Sequence, residues 1–356
     1  MKQTRTDRVL QKLENADALL VSDPNAIYYL IGRKIYPGER FLGLLLQKGK
    51  KTKLFLNTLF PIDKSDDIEI VSYSDSDDLF QILSEHIDPG IILGVDKCLT
   101  ARFLLPMQER KIAKGFLNGS FAVDHTRAVK DEEELDLLRK ASQINDEAMG
   151  RFKKLVYEGV SEKQIADQML DIYLELGAEG YSFEPIVAFG KNAADPHHMP
   201  DDTRLKKGDA VLFDVGCVYH SYCSDMTRTF FFEQGPSEIQ KTVYDLVRKA
   251  NEDAEKYVKA GVRLCDIDKT ARDVIENGGY GKYFTHRLGH FIGIEDHEYG
   301  DVSASFKDLT VPGNVFSIEP GIYDPQTLGC RIEDLVIVTE DGCEILNRYP
   351  HDIEII

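Results

Sequence analysis

Residues 213–232, FDVGCVYHSYCSDMTRTFFF, decide how this chain is read. Val, Tyr, Thr and Phe run through them as in two short strands joined by a turn. Yet Asp214 and Asp225 stand inside that pattern, where Val or Phe would bury without penalty. A buried carboxylate either takes up a proton or meets a cation. The rest of the sequence says which.

Working outward, the chain repeats itself. AMGRFKKLVYEGVSEKQIAD (148–167) can be laid over ANEDAEKYVKAGVRLCDIDK (250–269). Gly159-Val160 then meets Gly261-Val262, and Ile165 meets Ile267. Each copy reads as a helix, a Gly-Val turn and a second helix, and Ser161 with Gln164 makes a capping box in the first. A strand-rich section with two acids follows each copy. AVLFDVG and YCSDMTRTFFF carry Asp214 and Asp225; NVFSIEPGIYD and CRIEDLVIVTEDG carry Glu319 and Glu333. Two such halves packed face to face would bring the four acids together.

Four converging carboxylates repel strongly unless cations separate them. His290, in THRLGHFIGIEDHE, is a fifth candidate ligand. Oxygen-rich ligation with one imidazole suits manganese, cobalt or iron, whereas structural zinc favours thiolates. Four acids exceed the need of one divalent ion, so two ions sharing carboxylates is the reading adopted here.

Composition narrows the rest. The chain has 356 residues, 42% of them hydrophobic, enough for two cores. Its formal charge of −18 argues against nucleic-acid or anionic-membrane partners, which need Lys and Arg clusters. No apolar run is long enough to span a bilayer, and the charged opening MKQTRTDRVLQKLENADALLV does not read as a secretion signal. The six cysteines form no CxxC pair, which suits a reducing cytoplasm. Cys217 and Cys223 are expected to be small buried filler, and His220 to sit exposed in a hairpin turn.

Upstream, ADALLV, FLGLLL, TKLFLN, DIEIVSY and GIILGVD read as strands, with helices near 76–87 and 101–114. The expected architecture is therefore mixed α/β: a small N-terminal domain, residues 1–125, and a catalytic domain, 126–356. At the seam, Asp131 to Glu134 open a long helix whose apolar face repeats through Leu135, Leu138, Ala141, Ile144 and Ala148. NGGYG (277–281) is no dinucleotide loop, because no strand precedes it.

FDVGCVYHSYCSDMTRTF, GHFIGIEDHE, FSIEPGIY and RIEDLVIV together resemble the catalytic domain of the Xaa-Pro dipeptidases (prolidases) and aminopeptidases P, the pita-bread metallopeptidases related to methionine aminopeptidase. The resemblance runs from about Arg127 to the C-terminus. The N-terminal region, including NAIYYLIG, resembles that family's appended creatinase-like α/β domain. The resemblance implies that Asp214 holds one metal, that His290 and Glu319 hold the other, and that Asp225 and Glu333 bridge both. It implies Glu319 as proton acceptor for the attacking water, and His197 and His297 as partners of the scissile carbonyl and oxyanion. His286 would help bind the substrate's proline end or its carboxylate, Phe183 and Tyr323 would line the proline pocket, and Arg331 would hold the bridging acids.

Two positions depart from the family. Phe291 follows the ligand histidine where glycine is usual, so it either narrows the cleft or packs backwards. The arginine that clamps the carboxylate of a dipeptide was expected near Asp301, where only Lys307 follows. The implied function is hydrolysis of the amide before proline, by a cytoplasmic homodimer loaded with two ions, manganese first. The dipeptidase is favoured over aminopeptidase P. A metal-free binding module of the same fold, and a methionine aminopeptidase, are the readings set against it.

Overall fold

The computed structural model describes residues 4–63 and 66–356, in two compact units that divide between Arg127 and Ala128. The first unit is built on a six-stranded sheet. Its order places Ile68–Tyr73, Thr52–Asn57, Gly43–Leu46, Ala18–Val21, Ile92–Val95 and Gly115–Asn118 side by side. Ala18–Val21 pairs antiparallel to Gly43–Leu46 and parallel to Ile92–Val95. It is buried on both faces, which is why ALLV shows no alternation. NAIYYLIG forms most of a helix, Pro24–Ile31, capped by the Asp23 side chain and ended by Gly32 in the left-handed conformation.

The second unit contains the repeat. Its first helix pair is Glu132–Phe152 with Glu162–Glu175, and its second is Glu238–Tyr257 with Leu264–Asn277. Gly159 and Gly261 take the same left-handed φ, 81° and 80°, at the two turns between helices. Asp131 and Ser161 close capping boxes with Glu134 and Gln164, as their spacing predicts.

Each helix pair leads into an antiparallel sheet. In the first, Ala210–Val215 lies between Ile186–Phe189 and Met226–Phe231; in the second, Val315–Ile318 lies between Gly289–Phe291 and Asp334–Val338. The strands are apolar almost throughout and pack into two large clusters centred on Phe213 and Phe316. The sheets meet where the Glu333 amide donates to the Thr227 carbonyl. His220 is exposed in a turn with φ of 46°, and Cys217 and Cys223 are buried. Burial pushes the Cys217 thiol up to about 11, so it is inert filler. No helix among the described residues is long and apolar enough to cross a membrane.

Candidate metal centre

In each half one acid lies at the end of a strand and another at the start of the strand paired with it in the sheet. Asp214 sits on Ala210–Val215, paired across to Thr227 and Ile186. Asp225 directly precedes Met226–Phe231. In the second half Glu319 follows Val315–Ile318 and Glu333 precedes Asp334–Val338. All four line one cavity of about 600 Å³, together with His290.

The side chains are held from behind and left open in front. Thr227 Oγ1 donates to Glu333 Oε2 at 2.7 Å, and Ser317 Oγ donates to Glu319 Oε1 at 3.0 Å. Arg331 donates to Asp214 Oδ2, to Thr227 Oγ1 and to the Tyr323 hydroxyl. The other oxygens, Asp214 Oδ1, Asp225 Oδ1 and Glu333 Oε1, are buried without a hydrogen-bond partner. His290 is aimed the same way. Its Nδ1 lies 3.3 Å from the Phe291 carbonyl and so donates to it, leaving the Nε2 lone pair 3.5 Å from Asp225 Oδ2 and 3.5 Å from Glu319 Oε1. A lone pair facing carboxylates is repulsive unless a cation stands between them. One ligand atom each from Asp225, His290 and Glu333 fall within 4.8 Å of one another. The donor set therefore fits divalent metal ions.

Electrostatics agree. Burial, then Glu333, raises the Asp225 carboxyl well above the ordinary range; burial, then Glu319, does the same to Glu333. Burial pushes Glu319 up to about 8. His290 is driven well below the ordinary imidazole value by burial, then by His297, and so presents a neutral ring. Burial opposes the charge of Arg331, but Tyr323 and the surrounding carboxylates hold it firmly protonated.

His197 and Phe183 line the same cavity, and His297 stands at its mouth with its ring 4.0 Å from that of His290. His286 lines the cavity too, but both its nitrogens are engaged. Nδ1 donates to the Arg287 carbonyl at 2.6 Å, and Nε2 accepts from the Tyr323 hydroxyl at 2.7 Å. Burial lowers its pKa to about 4, so it presents a neutral ring. Tyr323, expected in the pocket wall, is not among the lining residues. It is buried with its hydroxyl bonded to His286 and Arg331. Phe291 packs backwards: its ring is buried 5.4 Å from that of Phe316.

Three features escaped the sequence reading. Arg287 lines the cavity and is ion-paired with Asp301, the position where a clamping arginine was sought. Asp296 lines it too, and burial with Asp214 pushes its carboxyl up to about 7. His198, next to His197 in the chain, is 2.6 Å from the wholly buried Glu162 carboxylate, which also accepts from the Phe189 amide and Asn192. That tie fixes the segment carrying His197. Only the HH doublet hinted at it.

The family models agree with this site. One described as metallopeptidase family M24 matches residues 136–340, and one described as the creatinase/prolidase N-terminal domain matches 5–129. An uncharacterized peptidase of Staphylococcus aureus (strain MW2) is 36% identical over 360 residues, covering 97% of this chain and 99% of its own. Among solved structures, the Xaa-Pro dipeptidase from Bacillus anthracis superposes with a TM-score of 0.90 at 29% identity, covering 99% of both chains. The X-Pro aminopeptidase from Thermotoga maritima MSB8 gives 0.86 at 29%, covering 98% of this chain and 100% of its own. Fold and site together define a metal-dependent peptidase with a pita-bread catalytic domain. The chain belongs to metallopeptidase family M24, whose members use divalent metal ions.

Proposed function

We propose that this enzyme is an Xaa-Pro dipeptidase that works with two divalent ions, manganese first among them, cobalt and iron sharing the same ligands. One observation carries the reading: three buried carboxylate oxygens without partners and the bare Nε2 of His290 converge on one cavity. Asp214 would hold one ion, His290 and Glu319 the other, and Asp225 and Glu333 both. When bound, such ions polarise the scissile carbonyl and acidify a water.

The chain's own groups supply the rest. Glu319, steadied by Ser317, accepts the proton of the attacking water. His197 and His297 donate to the carbonyl oxygen as it gains charge. Phe183, Ile186 and Pro196 give the pyrrolidine ring an apolar wall. Arg287, at the cavity wall, is placed to take the free carboxylate of a dipeptide, the role the sequence had left vacant near Asp301. That arginine, and the likeness to the Bacillus anthracis dipeptidase, favour a dipeptidase. The likeness to the Thermotoga maritima enzyme keeps aminopeptidase P as the second reading.

All six cysteines are free, which supports a reducing cytoplasm, and a homodimer is proposed on the family resemblance. The test is hydrolysis of Leu-Pro and Ala-Pro against Arg-Pro-Pro after loading with manganese. The dipeptides should be cut, and Arg287→Ala should raise KM for Leu-Pro roughly tenfold or more. Cleavage of the tripeptide alone would assign aminopeptidase P instead.

A further inference from the structure

The cavity holds one deep acid more than two divalent ions need. Asp214, Asp225, Glu319 and Glu333 already balance four positive charges. Asp296 lines the same cavity, on the turn between Gly289–Phe291 and Glu298–Val302. Its Oδ2 lies 3.4 Å from His297 Nδ1, and its Oδ1 is buried without a hydrogen-bond partner.

The turn beneath it is rigid. Glu298 Oε1 accepts from the amides of Ile294 at 2.9 Å and Glu295 at 3.4 Å, while Oε2 pairs with Lys130 Nζ at 3.2 Å. That pair is almost wholly buried, the side chains being 1% and 5% exposed. Gly293 leaves room for it, since a Cβ there would stand 2.6 Å from the Glu298 carboxylate. Asp296 is thus held in place, with a buried oxygen that either a proton or a cation would satisfy.

Two cations are available, a metal ion or a charged group of the substrate. The first is already supplied with ligands. Asp296 also comes from a turn rather than from a strand end, unlike the four acids assigned to the ions. Among the described residues the cavity wall carries one guanidinium besides buried Arg331, that of Arg287, which is ion-paired with Asp301 and assigned above to the substrate's carboxylate. An aminoacyl substrate with a free N-terminus carries its ammonium one carbon from the scissile carbonyl, and so must bring it beside the ions.

We propose that Asp296 receives the α-ammonium group of the substrate's first residue and so selects peptides with a free N-terminus. This rests on the Xaa-Pro reading above. The ammonium donates to the Asp296 carboxylate; Glu184, an exposed acid that lines the same cavity, is the rival that the test separates.

The test compares wild type with Asp296→Asn, isosteric but uncharged, both loaded with manganese. KM for Ala-Pro should rise roughly ten- to hundredfold, while kcat stays within about threefold. The inhibition constant of propionyl-proline, which lacks the amine, should be the same for both proteins, and elemental analysis should find equal metal. An unchanged KM overturns the proposal. So does loss of metal, which would make Asp296 a ligand, or an equal weakening of propionyl-proline. A KM rise in Glu184→Gln in place of Asp296→Asn overturns it as well. If the wild type cleaves Ala-Ala and not Ala-Pro, the proline reading falls, and the same comparison on Ala-Ala still decides the role of Asp296.

Discussion

Glu255 shows what a buried acid does when no ion comes to it. It lies on the helix Glu238–Tyr257, 6% exposed, with Oε1 lacking a partner. Burial and then Asp334 push its carboxyl from 4.5 up to about 8. Between those values the folded chain keeps a proton that the unfolded chain releases, so this residue's contribution to stability falls as pH rises. Glu255→Gln should therefore stabilise the protein by about 1–3 kcal/mol at pH 8 and by much less at pH 5. Thermal melts of both proteins at the two pH values check this; an equal gain at both would show that no titration is involved. The contrast with Asp225 and Glu333 is instructive. All are buried acids, but only those at the cavity have a neighbouring imidazole lone pair and open space in front. That difference was legible for the four site acids, because strand-like residues flank each one and the halves repeat. It was not legible for Asp296, since EDHE reads equally well as an acidic surface turn. Nor was it for Arg287, whose distance from Asp301 in sequence hid their pairing in space.

At the scale of elements, the strand Gly289–Phe291 is the part most constrained by its neighbours. A Cβ at Gly289 would stand 1.8 Å from the Ser317 carbonyl oxygen, so the backbone presses on Val315–Ile318 and brings His290 beside Glu319. Phe291, next along, alternates to the opposite face. Its ring fills the core over Phe316, and Gly300, at φ of 122°, leaves space for it; a Cβ there would lie 2.5 Å from the ring. The sequence posed this residue as either a plug in the cleft or a core side chain, and could not choose, because the vacancy at Gly300 is visible only once the two strands pair. Phe291→Ala should destabilise the fold by about 3–5 kcal/mol, from lost packing and the cavity left behind. Its KM for Leu-Pro should remain within about twofold of wild type. A markedly lower KM, with little loss of stability, would mean that the ring does obstruct the cleft.

For the whole molecule, the repeat is what made the site readable. Gly159 and Gly261 turn the chain alike, and each half then delivers one acid at the end of a strand and one at the start of its partner in the sheet. Two copies of a simple helix-pair-and-sheet unit thus place four acids face to face, with no single segment carrying a complete site. Sequence order revealed the acids; side-chain pairings such as Arg331 to Asp214, or Lys130 to Glu298, span more than a hundred positions and could only be seen in three dimensions. Arg331 was expected to hold the bridging acids Asp225 and Glu333; its direct carboxylate partner is instead Asp214. The account as a whole stands on the ions that these acids imply. Crystals grown with manganese, measured at the metal's absorption edge, test this most directly. Two anomalous peaks should appear among Asp214, Asp225, His290, Glu319 and Glu333, with Asp225 and Glu333 touching both. A single peak, or peaks lying elsewhere, would contradict it.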